Sequence, residues 1–403
     1  MAPARHVIVA GAGIAGLTAA LTLARAGMRV TVFEQAEKLE ETGAGLQLSP
    51  NASRVLIALG LRERLAPVAV TPRAIRVMSG GAREILRIPL GEEMERRFGA
   101  PYWSVHRGDL QFVLADAVRR ELDVKLELGA RLEEFAAHTN GVSVLGRRGP
   151  QVLDERGIVL IGADGIWSTV AARMHRPAPA FRHRTAWRAL VPADAVPEEF
   201  RQPLVHLWLG HDAHLVHYPV KAGNLINIVG IVHDEWNAAG WSAVGDRSEI
   251  LRHFSRWAWS DKARALISIP DRWLKWALYD RREPFRGAKL PVTLIGDAAH
   301  PMLPFLAQGA GMAIEDAAVL ADMLDKYLDD PSDAVRAYEG ARWHRTGRAQ
   351  QFSRRQGRIY GLTGPEALAR NLAMRAMGGE KLRARYDWLY SWRAPERYES
   401  QLA

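Results

Sequence analysis

The sequence contains no cysteine. That one absence excludes disulfides, thiolate nucleophiles, thiolate-ligated zinc, iron–sulfur clusters and cysteine redox switches. Long apolar runs are missing as well. No stretch approaches the ~18 uninterrupted apolar residues that a membrane span needs. The first residues, Met1 to Gly16, lack the apolar stretch and small-residue cleavage site of a secretory signal. A cytoplasmic protein without membrane contact is expected. Lysine is scarce: 46 of the 54 basic residues are arginine, and the net charge is +9. The basic residues are scattered and mostly balanced by nearby acids, which argues against a nucleic-acid partner. The densest basic stretch, Arg342 to Arg358, suits a solvated helix. The remaining composition is globular, with 48% apolar and 25% charged residues over 403 positions. Such a chain buries a substantial core as one large domain or two or three interleaved ones. No repeat or low-complexity linker is visible.

The N-terminal 35 residues are the most informative. The apolar run His6 to Ala10 reads as a buried parallel strand. It leads into Gly11-Ala12-Gly13-Ile14-Ala15-Gly16, then an amphipathic helix ending at Gly27, then a strand ending in Glu34. This is a complete β-α-β unit with GxGxxG in its turn. Gly11 permits the tight turn, Gly13 lets the backbone approach a pyrophosphate, and Gly16 lets the helix pack on the strand. The helix N-terminus offers free N–H groups to phosphates. Glu34 can accept hydrogen bonds from a ribose diol and would repel a 2′-phosphate, which disfavours NADP in this site. The motif alone does not separate FAD from NAD.

Two later stretches do. In residues 158–170 an apolar strand leads to Asp164-Gly165 and Ser168. In residues 292–324 another apolar strand leads to Gly296-Asp297, a Pro/Gly-rich turn and a long apolar helix. Between Glu34 and these motifs the chain carries Gly43, Gly45, Pro50 and Asn51, then a helix from about Ala52 to Leu59. The helix beginning at Gln308 to Met312 could turn its N–H groups toward an electron-rich ring edge.

With these motifs in this order, the chain resembles the group A flavoprotein aromatic hydroxylases. It is most similar to the branch of salicylate hydroxylase, 3-hydroxybenzoate 6-hydroxylase and 6-hydroxynicotinate 3-monooxygenase. Supporting stretches are GAGLQLSPNA at 43–52, VHRGDLQ at 105–111, AWRALVP at 186–192, HLVHYPV at 214–220 and HPMLPFLAQGAGMAIEDA at 300–317. The resemblance covers nearly the whole chain. It implies an α/β fold like that of p-hydroxybenzoate hydroxylase: a Rossmann-like FAD-binding domain, an antiparallel-sheet substrate domain and a helical C-terminal region. The expected division is 1–180 and 286–330 for the FAD-binding parts, 181–285 for the substrate sheet and 331–403 for the helical region.

The resemblance also implies site residues. Gly11, Gly13, Gly16 and Glu34 look like contacts to the ADP half of FAD. Arg107 resembles the arginine that reaches the cofactor phosphates or ribityl chain, with Gln111 one helical turn later. Asp164 is similar to a residue serving both FAD and NAD(P)H, and Asp297 to the ribityl-hydroxyl ligand. Gly311 and Met312 lie where backbone amides face the flavin pyrimidine edge. A single GxGxxG fits a family whose nicotinamide cofactor visits transiently. The chain departs from the family at Ala171, where the DG stretch usually carries arginine; Arg173, two residues on, is the expected substitute.

Residues 181–285 alternate like an antiparallel sheet, followed by two helical stretches. Strand periodicity puts His214, Val216 and Tyr218 on one face and His217 on the other. His214 and Tyr218 match a substrate-lining pair of the family. The implied roles are for His214 to hold the phenolic proton and for Tyr218 to orient a carboxylate or ring substituent. The bland reading is a pair of satisfied, half-buried polar residues in a sheet. Related enzymes often carry Gln or His near 304 and 305, where this chain has Pro304 and Phe305. Gln47 stands where the hydroxynicotinate enzyme has His. The pocket should therefore be apolar and poor in bases, suiting a phenolic acid or a larger apolar phenol. Pro304 could present its carbonyl near the reacting oxygen. Trp187 and Trp208 are candidate pocket walls. His300 with Asp297, and His233 with Asp234 and Glu235, do not supply three metal ligands on one face, so no metal is expected.

The reaction so implied is hydroxylation of a small aromatic substrate with O2 and NADH (or NADPH), through a C4a-hydroperoxyflavin. Two alternatives stay open: the same fold acting on an N-heteroaromatic or non-phenolic substrate, and an NAD-dependent dehydrogenase using the N-terminal unit alone. The C-terminal stretch reads as helical, with breaks at Thr363-Gly364-Pro365 and Gly378-Gly379. Its aromatic, arginine-rich end would dock on the body or build a homodimer interface.

Overall fold

The computed structural model describes residues 5–39, 44–138, 141–236, 242–255, 259–288, 290–327 and 329–399. Gly43 of the loop after Glu34 lies outside them. The chain opens with β1 (His6–Ala10), α1 (Ile14–Arg25) and β2 (Arg29–Glu34). β-branched residues make β1 a buried strand, with Val7, Ile8 and Val9 fully enclosed. Helix α1 stops at Ala26, and Gly27 follows at φ +78°, a left-handed C′ residue that lets the chain turn into β2. The helix expected at 52–59 runs Pro50–Ala58.

Two strands, β3 (Ala74–Ser79) and β4 (Glu84–Pro89), then leave the cofactor half. The chain returns through α2 (Arg107–Arg120), β5 (Val124–Leu128), a three-stranded antiparallel sheet (131–157) and β6 (Val159–Gly162). The middle stretch supplies β7 (Ala180–Pro192), β8 (Leu204–Leu209), β9 (Ala213–Val220), β10 (Leu225–His233), β11 (Ser242–Gly245) and β12 (Trp273–Asp280). Two helices, Arg247–Phe254 and Asp261–Ser268, lie between the last two strands. Finally come β13 (Val292–Leu294), α3 (Gly309–Lys326), α4 (Pro331–Tyr360) and α5 (Gly364–Ala384).

A parallel sheet in the order β13-β6-β1-β2-β5 carries the dinucleotide turn. The second sheet has eight strands in the order β11-β12-β7-β10-β9-β8-β3-β4. This corrects two expectations. Residues 74–89, assigned to the first FAD-binding part, are the far edge of the substrate sheet. That sheet is also not wholly antiparallel, because β3 and β8 pair in parallel, Leu204 beside Ala74 through Leu209 beside Ser79. The pairing is reached only through a long crossover, so local sequence carries no trace of it.

Helix α4 corrects a third reading. Arg342–Arg358 is helical, but only one face of it is solvated, with His344, Arg348, Gln351, Arg355 and Arg358 exposed. Arg342 is 3% exposed, and Thr346, Ala349, Gln350 and Ser353 are buried with it. Helix α5 breaks at Gly378, φ +75°, as the glycine pair suggested. The aromatic C-terminus docks on the body: Leu389 and Tyr390 pack with Met94, Phe98 and Tyr102, and Tyr398 joins the core around α1. Among the described residues no helix is long and apolar enough to cross a membrane.

Candidate active site

A cavity of about 700 Å³ runs from the first turn of α1 to the face of the eight-stranded sheet. At its cofactor end, Gly11 has φ +100°, and a Cβ on Gly16 would run into the Gly11 carbonyl oxygen. Both glycines are therefore required by geometry. At Gly13 nothing stands within 4 Å of where a Cβ would be, which leaves the open space a pyrophosphate needs. Gly13, Ile14 and Ala15 line the cavity, with no side-chain cap and no acid in the first turn of α1. Their N–H groups are thus available to an anion. Glu34 is anchored at the tip of β2: its carboxylate accepts the Ala12 N–H at 2.7 Å and the Ala36 N–H at 2.8 Å. Gln111 donates to the Ala12 carbonyl at 3.0 Å, bracing the turn from α2. It faces a smaller neighbouring hollow rather than the main cavity.

Arg107 and Asp297 both line the main cavity. Asp297 lies deep in the molecule, but its carboxylate is open to the cavity. Burial pushes its pKa up, opposed by His300 and the Arg107 guanidinium. Asp164 sits otherwise than expected. The cavity is lined by its neighbours Ala163, Gly165 and Ile166, while the Asp164 carboxylate accepts the Val170 N–H at 3.2 Å at the start of the helix Thr169–Arg173. Burial raises its pKa, and hydrogen bonds from Ser168 and Val170 oppose the rise. Ala171, within this helix, is fully buried in the core. Arg173 is exposed, 3.6 Å from Glu134 on the surface, and does not line the cavity.

The start of α3 needs a correction too. The Met312 N–H donates to the Gln308 carbonyl at 2.8 Å, as the fourth residue after a helix cap must. It is not free to face a ring. Gly309 and Ala310 line the cavity in place of Gly311 and Met312, and Met312 is wholly enclosed. Behind them lies a polar lattice that the sequence did not disclose. Asn51 donates to Glu315 at 2.6 Å, Gln308 to Ser49 at 2.8 Å, and Arg342 to both Glu315 and Asp316 at 2.7 Å. Asp316 accepts the Gly296 N–H at 2.9 Å and pairs with His300 at 2.5 Å, which ties the Gly296-Asp297 turn to α3. Burial would raise the Asp316 pKa, but His300 and Arg342 hold it at about 2.

On the sheet side, His214, Val216 and Tyr218 face the cavity together, with Gln47, Pro304 and Phe305. His214 is 3% exposed, its ring 5.3 Å from those of Phe305 and Tyr360. Burial, with Arg184 second, lowers its pKa to about 3. Burial raises Tyr218 to about 12, opposed by Arg188 and Gln47. Gln47 accepts the Tyr102 hydroxyl hydrogen bond at 2.6 Å. His217 points the other way, stacked on His206 with ring centroids 4.3 Å apart. Trp187 and Trp208 are not cavity walls; both are fully buried in the core on that opposite side. Arg188, Tyr102 and Tyr360 also line the cavity and were not singled out from sequence. The strand alternation that selected His214 could have found Arg188 in AWRALVP.

These residues fit FAD: an open glycine cradle, unspent N–H groups, Arg107 and an accessible Asp297 carboxylate follow one another along the cavity. Residues 4–353 match the family model described as "FAD binding domain". The chain is 36% identical over 397 residues to "3-hydroxybenzoate 6-hydroxylase 1" of Aquipseudomonas alcaligenes, covering 98% of this chain and 99% of that one. It is 37% identical over 375 residues to "3-amino-4-hydroxybenzoate 2-monooxygenase" of Streptomyces cremeus, covering 92% of each. Among solved structures it is similar to "Salicylate hydroxylase substrate complex", with TM-score 0.80, 25% identity and coverage of 99% of this chain and 98% of that one.

Proposed function

Since the chain belongs to the FAD-dependent aromatic hydroxylases, we propose that it hydroxylates an aromatic acid bearing a phenolic hydroxyl, with NADH or NADPH and O2 as co-substrates. The observation that carries this reading is one cavity joining the dinucleotide turn to His214 and Tyr218. The balance is substrate, NAD(P)H, a proton and O2 giving hydroxylated product, NAD(P)+ and water. FAD, held by the residues at the cofactor end of the cavity, would supply the redox chemistry that couples oxidation of the nicotinamide to insertion of one oxygen atom from O2.

The protein's own residues do the rest. The N–H groups of Gly13 to Ala15 and the Arg107 guanidinium hold the phosphates, and Glu34 and Asp297 accept sugar and ribityl hydroxyls. Asp164 acts indirectly, by fixing the turn whose backbone touches the cavity. Gly309 and Ala310 offer N–H groups to the electron-rich edge of the ring system. His214 is neutral at working pH, because burial holds it at about 3. It therefore accepts a hydrogen bond from the phenol. A phenolate formed beside it raises its basicity, so the proton moves only as the ring becomes electron-rich. Tyr218 keeps its proton and donates to a carboxylate or ring substituent. Leu303, Phe305, Val229 and Ile231 line the cavity with apolar surface that keeps water from the reacting carbon. Pro304 lines the cavity, but its carbonyl accepts the Ala307 N–H at 3.0 Å, which commits it to the turn rather than to the reacting oxygen. We place the enzyme in the cytoplasm as a homodimer; Leu368 and Leu372, exposed one helical turn apart on α5, are apolar surface that a second subunit would cover.

The test is oxygen-dependent NADH oxidation by FAD-loaded protein with salicylate, 3- and 4-hydroxybenzoate, 6-hydroxynicotinate and simple phenols, assaying hydrogen peroxide in each. A hydroxybenzoate should speed NADH loss with little peroxide and yield a hydroxylated product. If no phenolic acid stimulates oxidation, the reading fails.

A further inference from the structure

We propose that Arg188 is the anion receptor of the cavity, and that it makes the enzyme select aromatic carboxylates over neutral phenols. The inference rests on the hydroxylase reading above and names the group that the substrate must carry.

The position comes from the sheet register. Arg188 on β7 lies opposite Val229 on β10, and Val229 lies opposite Val216 on β9. Directly opposed residues share a face, so Arg188 stands in the same cross-strand row as Val216, with His214 and Tyr218 flanking that row. All four line the cavity.

Its electrostatic situation differs from that of the other deep arginines. Arg342 is paired with Glu315 and Asp316. Arg107 has Asp297 as its electrostatic partner. Arg281 donates to the carbonyls of Ala298 and Pro177. Among the described residues the Arg188 guanidinium has no carboxylate partner, and its buried Nε has no hydrogen-bond partner. The titratable neighbours that act on its pKa are Tyr218, which is neutral, and Arg107, which is a like charge; burial dominates and lowers it. Its guanidinium carbon lies 5.2 Å from the centroid of the Trp276 ring, which orients the group without neutralising it. An unpaired charge at such depth is costly unless an anion arrives to meet it.

The substrate is the better-placed anion. The cofactor end already has Arg107 and the N–H groups of α1, whereas Arg188 belongs to the sheet wall. Four residue steps along the strand separate His214 from Tyr218, about 13 Å of backbone. Arg188 springs from the middle row, but its charge acts on Tyr218 and not on His214, so a benzoate whose hydroxyl faces His214 presents its carboxylate toward Arg188 and Tyr218. The guanidinium can grip both carboxylate oxygens while the Tyr218 hydroxyl donates to one of them. A neutral phenol leaves the guanidinium unpaired, and that penalty is the source of selectivity.

The test uses FAD-loaded protein, the variants R188M and R188K, and a matched pair of probes, 3-hydroxybenzoate and 3-hydroxybenzamide. Binding is read from perturbation of the flavin absorbance. The wild type should prefer the acid by at least about 30-fold, and R188M should lose about 100-fold in acid affinity with amide affinity changed less than about threefold. R188K should recover part of the preference. R188M should keep its FAD and, without ligand, melt no lower than wild type, because an unpaired buried charge has been removed. An unchanged acid-to-amide ratio in R188M overturns the proposal, as does loss of FAD from both variants. If R188M does not fold, R188K decides: an acid-specific loss supports the proposal, and equal loss for both probes overturns it. If the wild type shows the Arg188-dependent preference but hydroxylates no phenolic acid, the functional reading falls and the receptor stands. If the wild type binds neither the acid probe nor benzoate, the receptor falls as well.

Discussion

At His214 burial fixes both the position of the ring and its charge. The residue is packed against Phe305 and Tyr360 and held at about 3, so a neutral imidazole faces the cavity at working pH. The variant His214→Asn keeps a polar group and removes the base. Coupled hydroxylation should fall about 100-fold, while NADH oxidation continues as hydrogen peroxide release. Product formed per NADH consumed is the measurement, and unchanged coupling would remove His214 from the chemistry. His206 and His217 show the same burial with no chemistry attached. Their rings stack inside the sheet, and none of the four ring nitrogens has a hydrogen-bond partner. Burial, then Arg76 and Arg87, lowers His206 from 6.5 to about 4. The unfolded chain therefore binds more protons than the folded one between those two values. Stability is complete above pH 6.5 and is lost as pH falls toward 4, by roughly 3 kcal/mol from His206 alone. The urea midpoint should drop between pH 7 and 5, and His206→Leu should flatten that dependence. A variant with the wild-type slope would show that His206 is not the origin. Strand alternation was enough to put His214 and Tyr218 on one face and His217 on the other. It could not say that Arg188 lacks an acid, because pairing depends on residues from other strands.

The dinucleotide turn shows what an element can and cannot disclose. Its strand, glycines, helix and terminal acid are contiguous, so local sequence suffices to read them. Gly16 is held by contact rather than by conformation: a Cβ there collides with the Gly11 carbonyl, and backbone atoms cannot rotate aside. Gly16→Ala must push α1 off β1 and distort the open N–H groups at Gly13 to Ala15. The folded variant should lose most of its FAD on gel filtration, and FAD retained at the wild-type level would mean that the helix shifts without disturbing the cradle. At α3 the start of the helix is legible in the sequence, but which of its N–H groups stay free depends on which residue is the cap. With Gln308 as cap, Met312 is the first residue whose N–H the helix itself consumes; the N–H groups of Gly309, Ala310 and Gly311 stay unspent, and of these residues Gly309 and Ala310 line the cavity. The sheet that strands β3 and β4 join is illegible in the sequence for a different reason. Short segments such as AIRVMS and EILRIP identify a hairpin, but nothing local tells which sheet they join when the parallel partner lies more than a hundred residues away.

Across the molecule the cofactor half, the long helix α4 and the C-terminal tail are joined by charges that composition alone read as surface. Glu315 and Asp316 are both fully buried on α3, and Arg342 and Arg345 of α4 reach them. Arg345 also donates to the carbonyls of Trp388 at 3.0 Å and Leu389 at 2.9 Å, which fastens the tail over the core that includes Tyr102. The same Asp316 holds Gly296 and His300, so the turn presenting Asp297 to the cavity depends on a pair formed with a distant helix. Removing one partner of a buried pair costs more than removing both, because the remaining charge is stranded. Arg342→Met should therefore destabilise the protein by about 3–5 kcal/mol, read from the urea midpoint, and weaken FAD retention through the Gly296-Asp297 turn. Adding Glu315→Gln to it should cost less than the two single changes summed, since the stranded carboxylate is neutralised. A single variant within about 1 kcal/mol of wild type, or a strictly additive double variant, would mean that Arg345 and His300 carry these carboxylates without Arg342, and that the coupling between tail, helix and cofactor turn runs through another path.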